Sequence, residues 1–408
     1  MRLPHPARST AWRHGAPALL MLLAAFNVEA APAQQPAPGR DWPTAAPARV
    51  GLNAAVLDSI DAEITAGRYG LVDRMLVIRH GTVAYDRSYV QDYDAAYGDS
   101  ARAANPLNAG DLSGPYNYFN PWWHPYYRRG TLHTLQSVTK TITSVIIGVA
   151  VTRGDFPSID TPVLAWFDTA RVANIDERKR RMTVRHLLTM TGGLSWNENL
   201  PYIDPNNTGS ALEASPDWVQ FTIDRPMMRE PGTEFNYSSG ESALLAHVFR
   251  RATGMDIEEY AARHLFGPLG IRQWFWKRSP SGPADTEGGL YLEARDLARI
   301  WYLFLQGGVW NGTRVVSPEW VRASVTPAVS VSPAPGAPKY GYLWWLYPDP
   351  LDDARSIWGG SGFGGQWPMA FPDLDLVVVF NSWNILPGRG GLPIRQLRER
   401  LARAVVGR

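Results

Sequence analysis

Ser137 and Lys140 are the residues whose types and spacing are best suited to chemistry in this sequence. They lie three positions apart, so on a helix their side chains share one face and are within contact distance. A serine hydroxyl is a weak nucleophile until a base takes its proton, and lysine is such a base when burial lowers its pKa. Because apolar residues from Ile142 to Val149 follow, we expect Lys140 to be buried with a lowered pKa. The same spacing also fits an exposed helix contact, so the hypothesis needs support from other segments.

Two further segments fit the same chemistry. The stretch 231–239 (PGTEFNYSS) places Tyr237 and two serine hydroxyls on a turn ahead of a predicted helix. The stretch 358–366 (WGGSGFGGQ) opens a predicted strand, and a glycine-rich strand edge lets a substrate approach backbone N–H groups closely. A helix-capping turn and a β-bulge are the structural alternatives for these segments. It is their combination with the Ser–Lys pair that favours a nucleophilic hydrolase.

The composition excludes several other chemistries. The 408 residues include no cysteine, which removes disulfides, thiolate nucleophiles and cysteine-ligated metals. The eight histidines show no paired metal-ligand spacing, and the Walker, dinucleotide and G-x-S-x-G motifs are absent. We therefore predict no metal and no cofactor. With 40 Lys+Arg against 38 Asp+Glu, the chain has no basic footprint for nucleic acid.

Apolar periodicity predicts the elements that must position these side chains. The strongest helix signal covers residues 134–153 and includes both members of the Ser–Lys pair. The other elements that fix the fold class are a hairpin at 73–89, strands at 340–347, 366–371 and 374–380, and a closing helix at 392–406. Strands at both ends with helices between them indicate an α+β protein. We expect one antiparallel sheet built from the N- and C-terminal strands and flanked by helices, with a mainly helical lobe inserted.

The predicted globular part is a single domain over residues 50–408. Its α/β lobe covers about 50–130 and 308–408, its helical lobe covers about 131–307, and a cleft lies between them. Segment 116–127 holds seven aromatic residues with little periodicity. It is either a surface loop packed on its own rings or a wall of the substrate pocket. Under the second interpretation, Trp122 and Trp123 contact the substrate.

The first thirty residues have the three-part pattern of a secretory signal peptide. A basic start precedes a short apolar run, Ala16–Phe26, and small-x-small cleavage sites follow at 28–30 and 31–33. The run is shorter than the roughly 20 residues of a spanning helix, so we predict cleavage and no membrane span in the mature chain. Residues 31–49 are rich in Pro and Ala and are predicted to form a flexible leader. The protein is therefore expected to be periplasmic or secreted.

The motifs in this order resemble those of the serine β-lactamase and penicillin-binding-protein superfamily. The chain is most similar to the class C-like branch of esterases, D-aminopeptidases and 6-aminohexanoate-dimer hydrolases. The resemblance extends from the hairpin near Met75 to the strand ending at Phe380, and includes 183–194 (TVRHLLTMTGGL), 268–271 (PLGI) and 364–366 (GGQ). It implies a β-lactamase/transpeptidase-like fold and a serine hydrolase that works through an acyl-enzyme without a cofactor.

Each family motif matches residues of this chain. The resemblance implies that Ser137 is the acylated nucleophile, Lys140 its partner base and Tyr237 the residue that passes protons to the leaving group. It implies an oxyanion hole formed by the backbone N–H groups of Ser137 and Phe363. The substrate-binding positions, besides Trp122 and Trp123, are then Ser239, Gly360, Ser361 and Gly362.

Two departures from the family pattern bear on the substrate. Gly360 stands where the family has a cationic residue that helps hold a substrate carboxylate, and Ser239 stands where it usually has an asparagine. Both changes point towards carboxylic esters or small amides, including 6-aminohexanoate-like amides. A β-lactamase or D-peptidase, and a relative that binds cell-wall fragments or β-lactams without turnover, stay open as alternatives. The expected partner is a small ester or amide, and the sequence indicates no oligomeric state.

Overall fold

The strands at the centre of the fold come from opposite ends of the chain. The computed structural model describes residues 41–108, 111–127 and 130–406, so the predicted signal peptide lies outside the described residues. Strand β1 (Val72–Arg79) pairs with β2 (Thr82–Ser88) and, on its other side, with β13 (Leu376–Ser382), both antiparallel. The prediction that terminal strands join in one antiparallel sheet is therefore confirmed.

The other elements of the described residues connect and cover these strands. The remaining strands are β3 (His133–Thr134), β4 (Phe275–Trp276), β5 (Leu290–Leu292), β6 (Val309–Trp310), β7 (Thr313–Arg314), β8 (Val329–Ser330), β9 (Lys339–Tyr340), β10 (Trp345–Asp349), β11 (Asp352–Gly359) and β12 (Trp367–Phe371). The helices are α1 (Ala54–Thr65), α2 (Tyr93–Tyr97), α3 (Val138–Arg153), α4 (Glu177–Arg181), α5 (Val184–Leu188), α6 (Thr208–Glu213), α7 (Trp218–Ile223), α8 (Ser239–Thr253), α9 (Ile257–Ala261), α10 (Gly267–Leu269), α11 (Ala294–Leu305), α12 (Pro318–Ser324) and α13 (Ile394–Arg403).

The main sheet separates two apolar layers. Within the described residues it has eight strands in the order β2-β1-β13-β12-β11-β10-β9-β8. Successive residues of a strand point to opposite faces, so Val77 packs with Leu57 of α1 and Leu401 of α13, whereas Ile78 joins the core that contains Ile146 of α3. Helices therefore cover both faces, and the larger core lies on the side of α3.

Helix α11 belongs with the sheet, although the sequence placed it in the helical lobe that ends at 307. It contacts β12 and β13, and the indole N–H of its Trp301 donates to Trp358 O of β11 at 3.2 Å. Leu297 and Phe304 are buried in the same core. The apolar side of α11 lies on the sheet face, so the boundary at 307 falls too late in the chain.

Residues 41–49 are part of the folded structure, contrary to the prediction of a flexible leader over 31–49. Trp42 is 3% exposed, and its indole N–H donates to Arg295 O of α11 at 3.1 Å. Thr44 forms a bridge with Val83 of β2. Burying an indole removes a large apolar area from water, and this outweighs the Pro- and Ala-rich composition around it.

Candidate active site

A short strand and a turn bring Ser137 to the start of α3. Strand β3 pairs with β5, and Leu135 N–H donates to Leu290 O at 2.9 Å. Gln136 then has a φ of 48°, in the left-handed region, and Ser137 is the N-cap residue of α3. The predicted helix over 134–153 therefore starts too early, because α3 begins at Val138. The half-buried Ser137 lies at a helix N-terminus, where the helix dipole favours an anion.

A buried ionisable pair anchors the strand before this turn. His133 Nε2 lies 3.0 Å from Asp73 Oδ2, and its Nδ1 lies 2.8 Å from Thr134 O. The Tyr93 hydroxyl lies 2.8 Å from each oxygen of the same carboxyl group. Burial raises the pKa of Asp73, and His133 opposes this shift. The pair ties β3 to β1 and so fixes the segment that leads to Ser137.

Lys140 is buried in contact with the nucleophile. Its Nζ donates to Ser137 Oγ at 3.0 Å, to Ser239 Oγ at 3.1 Å and to Glu287 O at 2.7 Å. The Glu287 carboxylate oxygen Oε2 lies 3.4 Å away. The side chain is 1% exposed, so the three N–H bonds of an ammonium group all have protein acceptors.

The expected lowering of the pKa of Lys140 is wrong. Burial does lower it, but Tyr237, Glu287 and Glu198 more than reverse that effect, and the pKa lies above the ordinary value for lysine. The apolar residues of α3 were visible in the sequence, whereas the compensating groups come from other segments of the chain. Lys140 is therefore an ammonium ion in the resting site.

Tyr237 completes the catalytic group. Lys140 Nζ lies 5.1 Å from the ring centroid of Tyr237. The ring packs against Trp345 of β10, with centroids 6.1 Å apart. Burial raises the pKa of Tyr237, and Lys140 opposes this shift. The structure thus brings the three predicted catalytic residues together.

The backbone N–H groups of Ser137 and Phe363 are available to bind an oxyanion. Neither N–H donates a hydrogen bond to any other residue that the structure describes. Gly362 packs so closely on the preceding turn that a Cβ there would lie 2.5 Å from Leu135 O. Only glycine permits this approach, which places the strand end beside Ser137. The geometry agrees with the predicted oxyanion hole.

Gly360 faces the core and leaves no space for a side chain. A Cβ at this position would lie 3.1 Å from side-chain atoms of Val138 and Pro368, and 3.2 Å from Trp301. Burial raises the pKa of Tyr347, and the neighbouring Ser361 side chain opposes this shift. The sequence has no cation at position 360, and a side chain there would require Val138, Pro368 and Trp301 to shift.

The rings beside the site differ from the two that the sequence suggested. Trp123 stacks on Tyr127 and packs on Phe275 of β4, and Trp122 is 45% exposed. The rings that contact Phe363 are Tyr118, with centroids 6.0 Å apart, Tyr202, at 4.9 Å, and Trp383, at 6.2 Å. Segment 116–127 thus contacts Phe363 through Tyr118, and substrate contact by Trp122 and Trp123 stays a prediction.

Sequence analysis missed a set of buried carboxyl groups beneath the catalytic residues. Glu198 accepts hydrogen bonds from the backbone N–H and the hydroxyl of Ser239 at 2.8 and 2.7 Å. Ser239 itself, predicted to bind substrate, lies under Lys140 as the first residue of α8. Glu198 and Glu287 belong to segments far from Ser137 in the chain, and no spacing rule connects them with it.

A second buried lysine extends this charged cluster. Lys277 Nζ lies 3.6 Å from Asp285 Oδ2, with both side chains fully buried, and 4.3 Å from the ring centroid of Tyr116. Burial and Glu287 raise the pKa of Asp285 to about 6, and Lys277 opposes this shift. Burial and Glu287 also raise the pKa of Glu213 well above its ordinary range, and the Tyr118 hydroxyl donates a hydrogen bond to Glu213.

The described part of the chain has neither a metal-binding cluster nor a membrane-spanning helix. No group of three or more His, Asp and Glu side chains there could hold a metal ion. No helix there is long and apolar enough to cross a membrane.

Comparison with known proteins gives a family for this arrangement. The family model named Beta-lactamase matches residues 57–393. The chain belongs to the beta-lactamase family. A relative in Paenarthrobacter ureafaciens, a 6-aminohexanoate-dimer hydrolase, is 28% identical over 282 residues, which are 63% of this chain and 69% of the relative.

Other relatives extend the range of activities. Esterase EstB of Burkholderia gladioli is 30% identical over 158 residues, 36% of this chain and 38% of its own length. Among solved structures, EstCE1, described as a hydrolase with promiscuous acyltransferase activity, aligns with a TM-score of 0.62 and 17% identity over 87% of this chain and 98% of its own. At that identity the likeness shows the fold alone.

Family membership fixes the fold and the reaction class of this beta-lactamase-family protein. The predicted α+β fold of β-lactamases and transpeptidases is confirmed, and so is the prediction of a serine hydrolase. The roles of individual residues stay predictions that the geometry supports.

Proposed function

We propose that this chain is an exported serine hydrolase that forms an acyl-enzyme at Ser137. Its substrates are neutral carboxylic esters or small amides, with 6-aminohexanoate-like amides among them. The observation that carries the proposal is the 3.0 Å contact between Ser137 Oγ and the buried Nζ of Lys140, which lies 5.1 Å from the ring centroid of Tyr237. The amide and ester hydrolases among the relatives support these substrate classes.

In the acylation step, Ser137 Oγ bonds to the substrate carbonyl carbon while its proton passes to the neutral amine of Lys140. The carbonyl π electrons move onto oxygen, where the N–H groups of Ser137 and Phe363 stabilise the charge. The intermediate then breaks its bond to the alkoxide or amine leaving group, which takes a proton from Tyr237. Lys140 returns its proton to Tyr237, so the site is neutral again.

In the deacylation step, water attacks the acyl carbon of the ester at Ser137. Tyr237 and Lys140 accept the water proton as a pair, because the two groups lie close together and the charge of Lys140 opposes the rise in the pKa of Tyr237 that burial causes. The C–Oγ bond breaks, Ser137 recovers its proton, and the carboxylic acid leaves. Both steps require Lys140 as a neutral amine, so only the deprotonated fraction of the enzyme reacts.

Charge around the site supports a neutral substrate. The Lys140 ammonium is already opposed by the carboxylates of Glu287 and Glu198. Position 360, where the family has its cation, is a glycine enclosed by three side chains. A carboxylate on the substrate would therefore find no free positive charge at these positions.

One observation favours a β-lactamase or D-peptidase as a second candidate. The Arg398 guanidinium of α13 lies 4.1 Å from the ring centroid of Tyr347, and burial raises the pKa of the Tyr347 phenol, a shift that the Ser361 side chain opposes. Arg398 Nη1 is buried, and among the described residues it has no hydrogen-bond partner. Turnover of a cephalosporin that is lost in Arg398→Met, with ester turnover kept, would favour this second function.

Export is proposed on the sequence of residues 1–30 alone. Expression of the full chain in a Gram-negative host, followed by intact mass of the periplasmic protein, tests it. We expect a mass that corresponds to cleavage after Ala30 or Ala33. An uncleaved chain confined to the cytoplasm contradicts export and leaves the catalytic proposal standing.

The nucleophile is tested by mass spectrometry and turnover together. A fluorophosphonate probe should add one adduct, mapped to Ser137, and short-chain p-nitrophenyl esters should be hydrolysed. In Ser137→Ala we expect loss of the adduct and a fall in kcat of several orders of magnitude, as for other nucleophile deletions. Ser144→Ala, on the same helix and also buried, is the matched control and should keep both. An adduct on another residue rejects the assignment.

A further inference from the structure

We infer that Glu198 is a positioning residue that acts through Ser239 to keep the lone pair of neutral Lys140 directed at Ser137. The inference deepens the proposed function and rests on it. Glu198 does not touch the reacting atoms. Its effect depends on where one hydroxyl proton points.

In every hydrogen bond that Glu198 makes with another described residue, its carboxyl group is the acceptor. Trp196 Nε1 donates to its Oε2 at 2.7 Å and the Tyr202 hydroxyl donates to its Oε1 at 2.6 Å. The backbone N–H and the hydroxyl of Ser239 supply two more hydrogen bonds, at 2.8 and 2.7 Å. Four converging donors suit an ionised carboxylate, which accepts and cannot donate.

The Ser239 hydroxyl is thereby fixed as an acceptor towards Lys140. A hydroxyl carries one proton and two lone pairs. Since its proton is held by Glu198, the group can present only lone pairs to Lys140 Nζ, 3.1 Å away. The usual freedom of a serine hydroxyl to rotate and donate is removed.

This orientation matters when Lys140 is neutral. A neutral amine has two N–H bonds and one lone pair. Glu287 O and Ser239 Oγ can each accept one N–H, at 2.7 and 3.1 Å, and the lone pair then faces Ser137 Oγ at 3.0 Å. Without Glu198, Ser239 could turn its proton towards Lys140 and occupy the lone pair that Ser137 needs.

Glu198 also acts on the charge of Lys140. The ionisable groups nearest the Lys140 ammonium are Tyr237, Glu287 and Glu198. Beyond them, Glu213, Asp285 and Lys277 act on the pKa of Glu287 or are acted on by it. Removing the negative charge of Glu198 removes one of the effects that raise the pKa of Lys140. The acid limb of kcat/KM, which reports loss of the Lys140 proton, should then move to lower pH.

The experiment is the pH dependence of ester hydrolysis in Glu198→Gln, Ser239→Ala and the double variant. We expect Glu198→Gln to lower the plateau of kcat/KM by about 10- to 100-fold, a part of what general-base catalysis contributes, and to shift the acid limb to lower pH. In the Ser239→Ala background the same change should cost less than about 3-fold, because coupled residues are not additive. Ser239→Asn, which cannot rotate a hydroxyl proton, serves as the second variant.

Glu241→Gln is the matched control, since Glu241 is a buried carboxyl group of the same helix that accepts from Gly192 N–H. Glu241→Gln should leave the acid limb of kcat/KM at the same pH as in the wild type. Additive losses in the double variant, or a lowered plateau with an unmoved acid limb, overturn the inference. Absence of a Ser137 adduct in the wild-type protein instead rejects the proposed function, so the two failures are distinguishable.

Discussion

At the scale of single residues, two requirements on Lys140 oppose each other. It must be buried to contact Ser137, and it must lose a proton to act as a base, yet Tyr237, Glu287 and Glu198 favour its protonated form. Burial alone would ease proton loss. The balance between these effects determines the pH at which the site becomes active.

The pH profile of kcat/KM follows from this balance. Because the pKa of Lys140 lies above its ordinary value, the reactive neutral form increases as pH rises, and we expect ester turnover to keep increasing through neutral into alkaline pH. Steady-state assays from pH 6 to pH 10 measure it. Lys140→Arg should be inactive throughout, since guanidinium does not deprotonate in this range. An acid limb that ends below pH 6 contradicts the raised pKa.

Sequence could identify the reacting residues but not the groups that set their protonation. Ser137, Lys140 and Tyr237 were found because family motifs name them, and the structure brings them together. Glu198 and Glu287 lie in segments without a motif, and their effect on Lys140 exists only after folding. The direction of the pKa shift was therefore predicted wrongly from the apolar residues of α3.

At the scale of elements, the residue that follows β11 packs tightly against α3 and α11. Gly360 contacts the buried side chains of Val138 and Trp301, while the adjoining residues approach the turn at Ser137. The fit places Gly362 against Leu135 O, two residues before Ser137. Any added volume at position 360 therefore moves either α3 or the strand end.

Gly360→Ala tests this fit. A Cβ there meets three side-chain atoms at 3.1–3.2 Å, so overpacking, which typically costs about 1–3 kcal/mol, should exceed the gain of about 0.4–1 kcal/mol from a stiffer unfolded chain. Chemical denaturation should show a lower free energy of unfolding. Gly391→Ala, where nothing lies within 4 Å of the added Cβ, is the control and should not destabilise. A Gly360→Ala protein as stable as wild type means that the neighbours can move apart.

The aromatic segment gives a second test at this scale. Trp123 packs on Tyr127 and Phe275, so Trp123→Ala should lower the free energy of unfolding by roughly 1–2 kcal/mol and lower Tm with it. We expect the variant to keep the acyl-chain preference. Trp122→Ala should change Tm and the acyl-chain preference only slightly. Tyr118→Leu, which alters a ring in contact with Phe363, should change the relative kcat/KM of short and long p-nitrophenyl esters. A changed acyl-chain preference in either tryptophan variant would support the prediction that Trp122 and Trp123 contact the substrate.

Elements were predictable where apolar residues repeat and not elsewhere. The hairpin over 73–89 has a clear period, and the structure has it as β1 and β2. Strand β11 was not predicted, because residues 352–355 are exposed and include three charged side chains. The start of α3 was misplaced because a left-handed residue, Gln136, leaves no mark in an apolar pattern.

At the scale of the whole molecule, burial raises the pKa of several carboxyl groups above their ordinary range. Burial raises the pKa of Glu241 well above its ordinary range, and Gly192 N–H opposes this shift. Asp296 has a pKa raised by burial to about 6. Such groups stabilise the fold fully below their unfolded pKa, and this stability is lost as pH rises through the folded pKa.

Glu241→Gln isolates one of these groups. Glutamine keeps an acceptor for Gly192 N–H and cannot ionise, so the variant should match the wild type near pH 4 and unfold at higher temperature from pH 7 to pH 9. The difference can grow by up to about 1.4 kcal/mol per pH unit. Tm measured across this range checks it, with exposed Asp353→Asn as a control that should show no such trend. Equal Tm values at every pH contradict protonation of Glu241.

The pairing of β1 with β13 has a consequence for how the chain reaches its native state. Met75 has its partner Phe380 near the other end of the sequence, so the N-terminal hairpin lacks a neighbour until almost the whole chain has been synthesised. Contacts between distant segments make folding slow, and partly made chains expose unpaired strand edges. A polypeptide that cannot fold early stays extended longer, which is the state that the proposed export would require. Truncation before β12 removes both β12 and β13, so β1 loses its partner on that side.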